Sequence, residues 1–440
     1  MTTWQHLRDV KLSEYEDAAD GWGKVSTRAN AAKDRVDNEM LGKLRETQTG
    51  DTATTAIGNL ARLSRNYQYI HTECGLIRTG LNGLAAELAA PQKKLKQALE
   101  DAENLKFLVN PDGSVEYPAS PLTPVPLAPT GTATPGAPVP LLPGKAEGGA
   151  DPNKGKAEDI AERIAGAVRE AVEIDGRYAG VLRKLKTTDG LEVSNEMLAD
   201  AARDTRDLQK AAGKYADDSK IPKDKSAAES AEWWKGLTQE QRDEYATLYP
   251  ASVGALDGIP STVRDDANRM VLAETRAQAQ LDLDRLGPEP SKYIQNPNGS
   301  YPAALKNPAW DKWEKDGGTR LRVELKGMDA IQKRFDAPPS ANLPEAYLLG
   351  FDSQGTGRAI IANGNPDTAD HTAVYVPGTT TKLETINGDI NRMTELWREA
   401  NSQAPGETTS TITWLGYDAP QRASFPTRRR SGGRTTAPPS

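Results

Sequence analysis

Asp370 and His371 stand side by side at the mouth of a short β-type run, Ala373 to Val376, and a histidine beside a carboxylate is where acid–base chemistry is sought first. The competing role for His371 is a hydrogen bond at a strand edge. The chain holds three histidines in all, His6, His71 and His371, and a single cysteine, Cys74. Cys74 falls on an apolar helical face, where a thiol behaves as a small buried hydrophobe. Asp352, Asp367, Asp370 and Asp418 are carboxylates at turns or strand ends. Their spacing matches no recognised ligand cluster, so turn capping is expected, with no metal and no cofactor. Trp233-Trp234, Trp310 and Trp313 read as packing anchors.

The elements that position these residues follow from periodicity. Ala373 to Val376 stops at Pro377-Gly378 as a buried strand would, and Thr411 to Leu415 is a second run of the same kind. Between them Leu383, Ile386, Ile390, Met393, Trp397 and Ala400 line one helical face. The unit is β-loop-α-β, and two strands joined by such a helix pair in parallel through a right-handed crossover. Tyr347 to Phe351 and Arg358 to Ala362 form a hairpin ahead of it.

Towards the N-terminus the pattern is helical. Tyr15, Ala18, Trp22, Val25, Ala29, Ala32 and Val36, continuing through Met40 and Leu44, form a heptad seam. After Gln48-Thr49-Gly50 a second run extends from Ile57 to Leu105, with Pro91 expected to bend or break it. Together they predict an antiparallel helical hairpin. Phe107 to Tyr117 reads as a β-hairpin about Pro111-Asp112-Gly113. Pro118 to Lys156 reads as a Pro/Gly-rich linker, and Ile160 to Leu185 as a helix docking back on the hairpin, with a shorter one between Asn195 and Tyr215. Thr238 with Gln241 predicts a capping box, Ser261 caps another helix, and Leu321 to Phe335 is a further amphipathic helix. The expected division is 1–117, 118–156, 157–219, 220–340, 341–420 and a basic tail at 421–440. The fold class is multidomain: a mainly α N-terminal half followed by a partial α/β sheet.

With 440 residues, 37% hydrophobic and 6% aromatic, the chain suits several smaller bodies. Lys and Arg number 55 against 62 Asp and Glu, a net charge of −7, which gives no global case for nucleic acid or an anionic membrane. No apolar run approaches a membrane span, and the first residues lack signal-peptide character. The expected location is cytoplasmic, or exported without a cleavable signal.

Two blocks carry a resemblance. The first is Trp233-Trp234, Leu237, Tyr249-Pro250, Gly254, Leu256 to Pro260, Arg264 and Ala267-Asn268-Arg269. The second is Leu349 to Asp352, Gly357-Arg358-Ala359, Gly364 to His371, Val376 to Thr379 and Trp414 to Asp418. From about Ala231 to Gln421 the sequence resembles an actinobacterial α/β-hydrolase family of unknown function with a long helical N-terminal region. The N-terminal hairpin is similar, more weakly, to the Trp-x-Gly helical hairpins of type VII secretion, with Gln48-Thr49-Gly50 where the tryptophan would stand.

The resemblance implies serine-type hydrolysis of a small ester or similar acyl bond through an acyl-enzyme. It places Gly378, Thr379 and Thr380 on the loop that supplies oxyanion-hole amides. The nucleophile elbow, G-x-S-x-G, occurs nowhere in the chain, and all three histidines precede the position where it would fall. No catalytic residue is therefore assigned, and His371 reads as a strand-edge group. The tail after Gln421 carries five arginines and neither lysine nor acid. Its change of composition is expected to mark a frame shift, with about 100 or more residues of sheet and triad lost and Thr411 to Leu415 left as an unpaired apolar edge. The chain is then expected to be inactive. The alternative is a non-enzymatic helical interaction or type VII secretion-associated protein, whose hairpin binds a helical partner or another copy.

Overall fold

The computed structural model describes residues 3–118, 131–133, 152–185, 192–296, 298, 304–337 and 343–421. Most of the stretch read as linker, and the tail beyond Gln421, lie outside them. The architecture is a mainly helical N-terminal half and a small C-terminal α/β sheet.

Helix α1 (Trp4–Asp9) is capped by the Thr3 side chain, which accepts the His6 N–H. Helix α2 (Leu12–Asp34) continues through a π-helical stretch, Arg35–Leu41, into α3 (Gly42–Thr47). Gly50, at φ 99°, makes the reversal that an L-side chain resists and opens α4 (Asp51–Asn104), 54 residues long. Pro91 does not break α4. An interior proline costs about 3 kcal/mol, and packing outweighs it here: Pro91 is buried, and the neighbouring Gln92 side chain donates to the Leu7 and Val10 carbonyls of the α1 end at 3.0 and 2.7 Å.

The heptad seam read along α2 is buried only in part: Ala29 and Val36 are buried, but its stretch from Ala18 to Val25 is not the surface that meets α4. Ala19, Ser26 and Lys33 are buried, whereas Ala18, Trp22, Val25 and Met40 are exposed. The contact is small and polar: a Cβ at Gly23 would lie 3.0 Å from Arg78, and one at Gly75 would lie 3.1 Å from Thr247 and 3.7 Å from the Ser26 hydroxyl.

Strands β1 (Leu108–Val109) and β2 (Val115–Tyr117) form the hairpin, its turn tied by Asp112 accepting from the Ser114 N–H and hydroxyl at 2.9 and 2.7 Å. Strand β3 (Gly131–Ala133) pairs with β2. Helix α5 (Pro152–Leu182) begins inside the stretch read as linker and packs along α4. Fully buried Tyr178 of α5 sits over Gly83, where a Cβ would come within 2.6 Å of its hydroxyl, which donates to Glu87 at 2.7 Å. Helix α6 (Asn195–Ala211) completes this body.

Reciprocal capping boxes open α7 (Ala227–Gly236), through Ser226 and Glu229, and α8 (Gln239–Leu248), through Thr238 and Gln241. Pro250 starts the short α9 (Pro250–Gly254). Ser261 was expected to cap the next helix but is the first residue of α10 (Ser261–Leu286). Its N–H and hydroxyl both donate to the distant Asp367 carboxylate, at 2.6 and 2.8 Å. A hairpin of β4 (Tyr293–Gln295) and β5 (Ala304–Lys306) interrupts the helical region before α11 (Pro308–Lys315) and α12 (Gly318–Phe335).

The C-terminal sheet comprises β6 (Ala346–Asp352), β7 (Arg358–Asn363), β8 (His371–Tyr375) and β9 (Thr409–Leu415), with α13 (Asn387–Gln403) crossing between the last two. The order is β6-β7-β9-β8, with β8 and β9 parallel and the other pairs antiparallel. This corrects two expectations. Strand β9 is internal, paired on both sides, and β8 is the edge, with Val374 57% exposed. The second hairpin strand, β7, takes the place beside β9 that would otherwise have been bare. Leu348, Ile361 and Leu415 face α12 and Leu383 across one core, while Tyr347, Leu349, Ala362 and Ile412 form a smaller cluster on the opposite face.

The other edge, β6, is sealed by side chains of α10. Asp265 accepts the Leu348 N–H, Asn268 donates to the Leu348 carbonyl at 2.9 Å, Arg264 to the Leu349 carbonyl and Arg269 to the Ala346 carbonyl at 2.7 Å. Buried backbone groups must find partners, and here a helix supplies them.

Candidate functional site

The loop from Val376 to Ile386 leaves the sheet at the end of β8 and is pinned at both ends. Tyr417 donates its hydroxyl to the Pro377 carbonyl at 2.7 Å, and Trp414 stacks on Tyr417. At the far end Leu383 is wedged between two glycines: a Cβ at Gly327 would lie 2.6 Å from it, and one at Gly357 2.5 Å. The Leu383 N–H donates to the Thr356 carbonyl at 3.0 Å. Asp418 locks the same turn, accepting from the Thr356 N–H and hydroxyl and from Arg358 at 3.3, 2.8 and 2.9 Å. These bonds hold the Asp418 carboxyl below the usual range.

Within this frame Gly378, Thr379 and Thr380 are exposed. The Thr380 N–H is taken by the Pro420 carbonyl at 2.9 Å. Thr380 also holds φ 70°, a region that a β-branched residue occupies at a cost of about 1–3 kcal/mol. Among the described residues nothing accepts the N–H of Gly378 or Thr379. Gly378 stands in open space, so no close backbone approach among the described residues requires a glycine there.

Asp370 and His371 take different hydrogen-bond partners. Asp370 accepts the Thr408 N–H and hydroxyl, both at 2.8 Å, and these bonds lower its pKa. The His371 Nε2 faces Glu407 at 2.5 Å, on the exposed strand edge. Asp352 caps its turn through the Gln354 N–H at 2.9 Å. Trp234 and Trp313 are buried, Trp233 packs edge-on to Tyr245, and Trp310 lies between Lys292 and Lys306. Cys74 is buried, and burial beside Glu73 pushes its thiol up to about 11.

A serine–histidine contact that no local spacing announces joins α2 to α4. His71 Nδ1 lies 2.8 Å from the Ser26 hydroxyl and 3.1 Å from the Ser26 carbonyl, while the hydroxyl reaches the His71 carbonyl at 2.8 Å. The network is satisfied when Nδ1 carries the proton and the hydroxyl donates to the carbonyl. Burial depresses the His71 pKa and so favours the neutral ring. With its proton committed to a carbonyl the serine is not activated, and the pair ties two helices beside a cavity of about 470 Å³ that Trp234, Arg78 and Met270 also line.

Residues 352–439 match the family model described as alpha/beta hydrolase, a match that covers β7 to β9 and the pinned loop and continues past Gln421, where the sequence reading ends the resemblance. Uncharacterized proteins from two strains of Mycobacterium tuberculosis are 33% identical over 231 residues, covering 49% of this chain and 33% of theirs. The match thus spans about a third of the relatives' length. Both findings support the likeness to an actinobacterial α/β-hydrolase family of unknown function. No solved structure matches the chain. Among the described residues no helix is long and apolar enough to cross a membrane.

Proposed function

We propose that the C-terminal sheet is the opening part of an acyl-transfer scaffold, and that the loop between β8 and α13 offers the amides of Gly378 and Thr379 to a developing oxyanion. The lineage chemistry is serine-type hydrolysis of a small ester or similar acyl bond. One observation carries the reading: the loop follows the third strand of the sheet and precedes its crossover helix, the place from which α/β-hydrolases draw an oxyanion donor, and its two unclaimed amides sit beside a strained Thr380. Thr380 itself is not a donor, because Pro420 holds its N–H. With no G-x-S-x-G in its 440 residues the chain supplies the loop without the nucleophile.

Two measurements test this. The purified chain is expected neither to hydrolyse a p-nitrophenyl ester nor to be labelled by a fluorophosphonate; inhibitor-sensitive turnover would overturn the inactive assignment. Titration with an alkyl phosphonate, followed by amide NMR, is expected to shift Gly378 and Thr379 together. Unmoved amides at both positions would refute the oxyanion role.

A further inference from the structure

We infer that two copies of this chain associate through the exposed stripe of α2, packed antiparallel with their helices crossing at Gly21. The inference is independent of the hydrolase reading. Single exposed apolar side chains are ordinary. Here, however, Ala18, Trp22 and Val25 continue a heptad spacing along one helix, with Trp22 40% and Val25 42% exposed. The contact between α2 and α4 uses a face rotated by about a quarter turn, the one carrying Ala19, Ser26 and Lys33. The next members of that spacing, Ala29 and Val36, are buried, so it is the stretch from Ala18 to Val25 that the described part of the chain leaves uncovered, beside the contact with α4.

The charge order along α2 names the occupant. Glu14, Glu16, Asp17 and Asp20 all precede Trp22, while Lys24 and Arg28 follow it, and all six are exposed. A parallel pair of these helices would set acid against acid. Antiparallel, Glu14 of each copy meets Arg28 of the other, since both stand seven residues from Gly21. Gly21 is suited to the crossing point, because a Cβ there would meet nothing within 4 Å and its absence lets the two backbones approach. Among the described residues Glu14 is committed only to Lys11, an exposed pair at 3.2 Å, so it is available to a second copy at little cost.

The test is sedimentation velocity of the full chain across the micromolar range. A dimer is expected for the unaltered protein and a monomer of unchanged circular dichroism for Trp22→Glu. Glu14→Lys and Arg28→Glu alone are each expected to weaken the dimer about tenfold or more, by turning two attractive contacts into repulsive ones. The double variant restores both contacts and should recover the dimer. A chain that stays monomeric throughout would overturn the inference. A dimer indifferent to Trp22→Glu, or a double variant no better than its singles, would equally defeat it.

Discussion

Asn268 offers the sharpest test of how α10 holds the sheet. It is 1% exposed, and its amide donates at 2.9 Å to the carbonyls of both Leu348, on the edge of β6, and Gly254, at the end of α9. The fit is close: a Cβ on Gly254 would lie 2.4 Å from the Asn268 side chain. In Asn268→Ala both carbonyls stay buried without this donor. An unsatisfied buried group costs about 1–3 kcal/mol; the Arg264 guanidinium still reaches the Gly254 carbonyl at 3.3 Å and softens one of the two losses. The expected total is about 3 kcal/mol, a factor of roughly one hundred in local opening. Native-state hydrogen exchange resolves this at the amides of β6 and β7. Asn38→Ala is the control, since Asn38 bonds Glu345 at 3.1 Å in an exposed setting, and its effect should stay within about 0.5 kcal/mol. Protection of β6 falling less than threefold in Asn268→Ala would refute the edge-sealing argument.

Two further outcomes follow from buried groups. Glu73 is 3% exposed with one carboxylate oxygen lacking a hydrogen-bond partner, and burial with Asp204 and Asp200 opposite raises its pKa to about 8. A carboxyl with a raised folded pKa contributes stability that is full below its unfolded value near 4.5 and fades as pH rises through about 8. Thermal melts should therefore fall as pH rises from about 5 to about 8 in the unaltered protein and fall less steeply in Glu73→Gln, where Glu274, raised to about 8 by burial, still titrates; parallel curves would contradict the assignment. Gly327→Ala should destabilise the C-terminal unit by about 1–3 kcal/mol through overpacking, because its Cβ would meet the Leu383 side chain and carbonyl at 2.6 Å. Urea midpoints measure the loss, and an unchanged midpoint would show that the loop anchor yields freely.

The elements were legible where local chemistry decides them. The crossover from β8 through α13 to β9, the hairpin of β6 and β7, and the Thr238–Gln241 capping box all follow from spacings of a few residues. Strand order was not, because an apolar run states that a strand is buried without stating which neighbours bury it; β9 proved central and β8 marginal. The α2 seam held at Ala29 and Val36 but not from Ala18 to Val25, for a related reason. Periodicity finds an apolar stripe, but the α4 contact selects small and hydrogen-bonding residues, Gly23, Gly75, Ser26 and His71, which carry no apolar signal. At the candidate site the position of Gly378 and Thr379 came from resemblance, whereas the wedge of Leu383 between Gly327 and Gly357 joins residues far apart in the chain and could be seen only in three dimensions.

The unequal edges of the sheet give it a direction. On the β6 side Arg264, Asp265, Asn268 and Arg269 occupy the positions that another backbone would need, so that margin is closed to growth. Among the described residues no side chain closes the β8 side, where Val374 is exposed. Any strand recruited to this sheet can add only beyond β8, and arriving there it lies next to the point where the backbone departs towards Gly378 and Thr379.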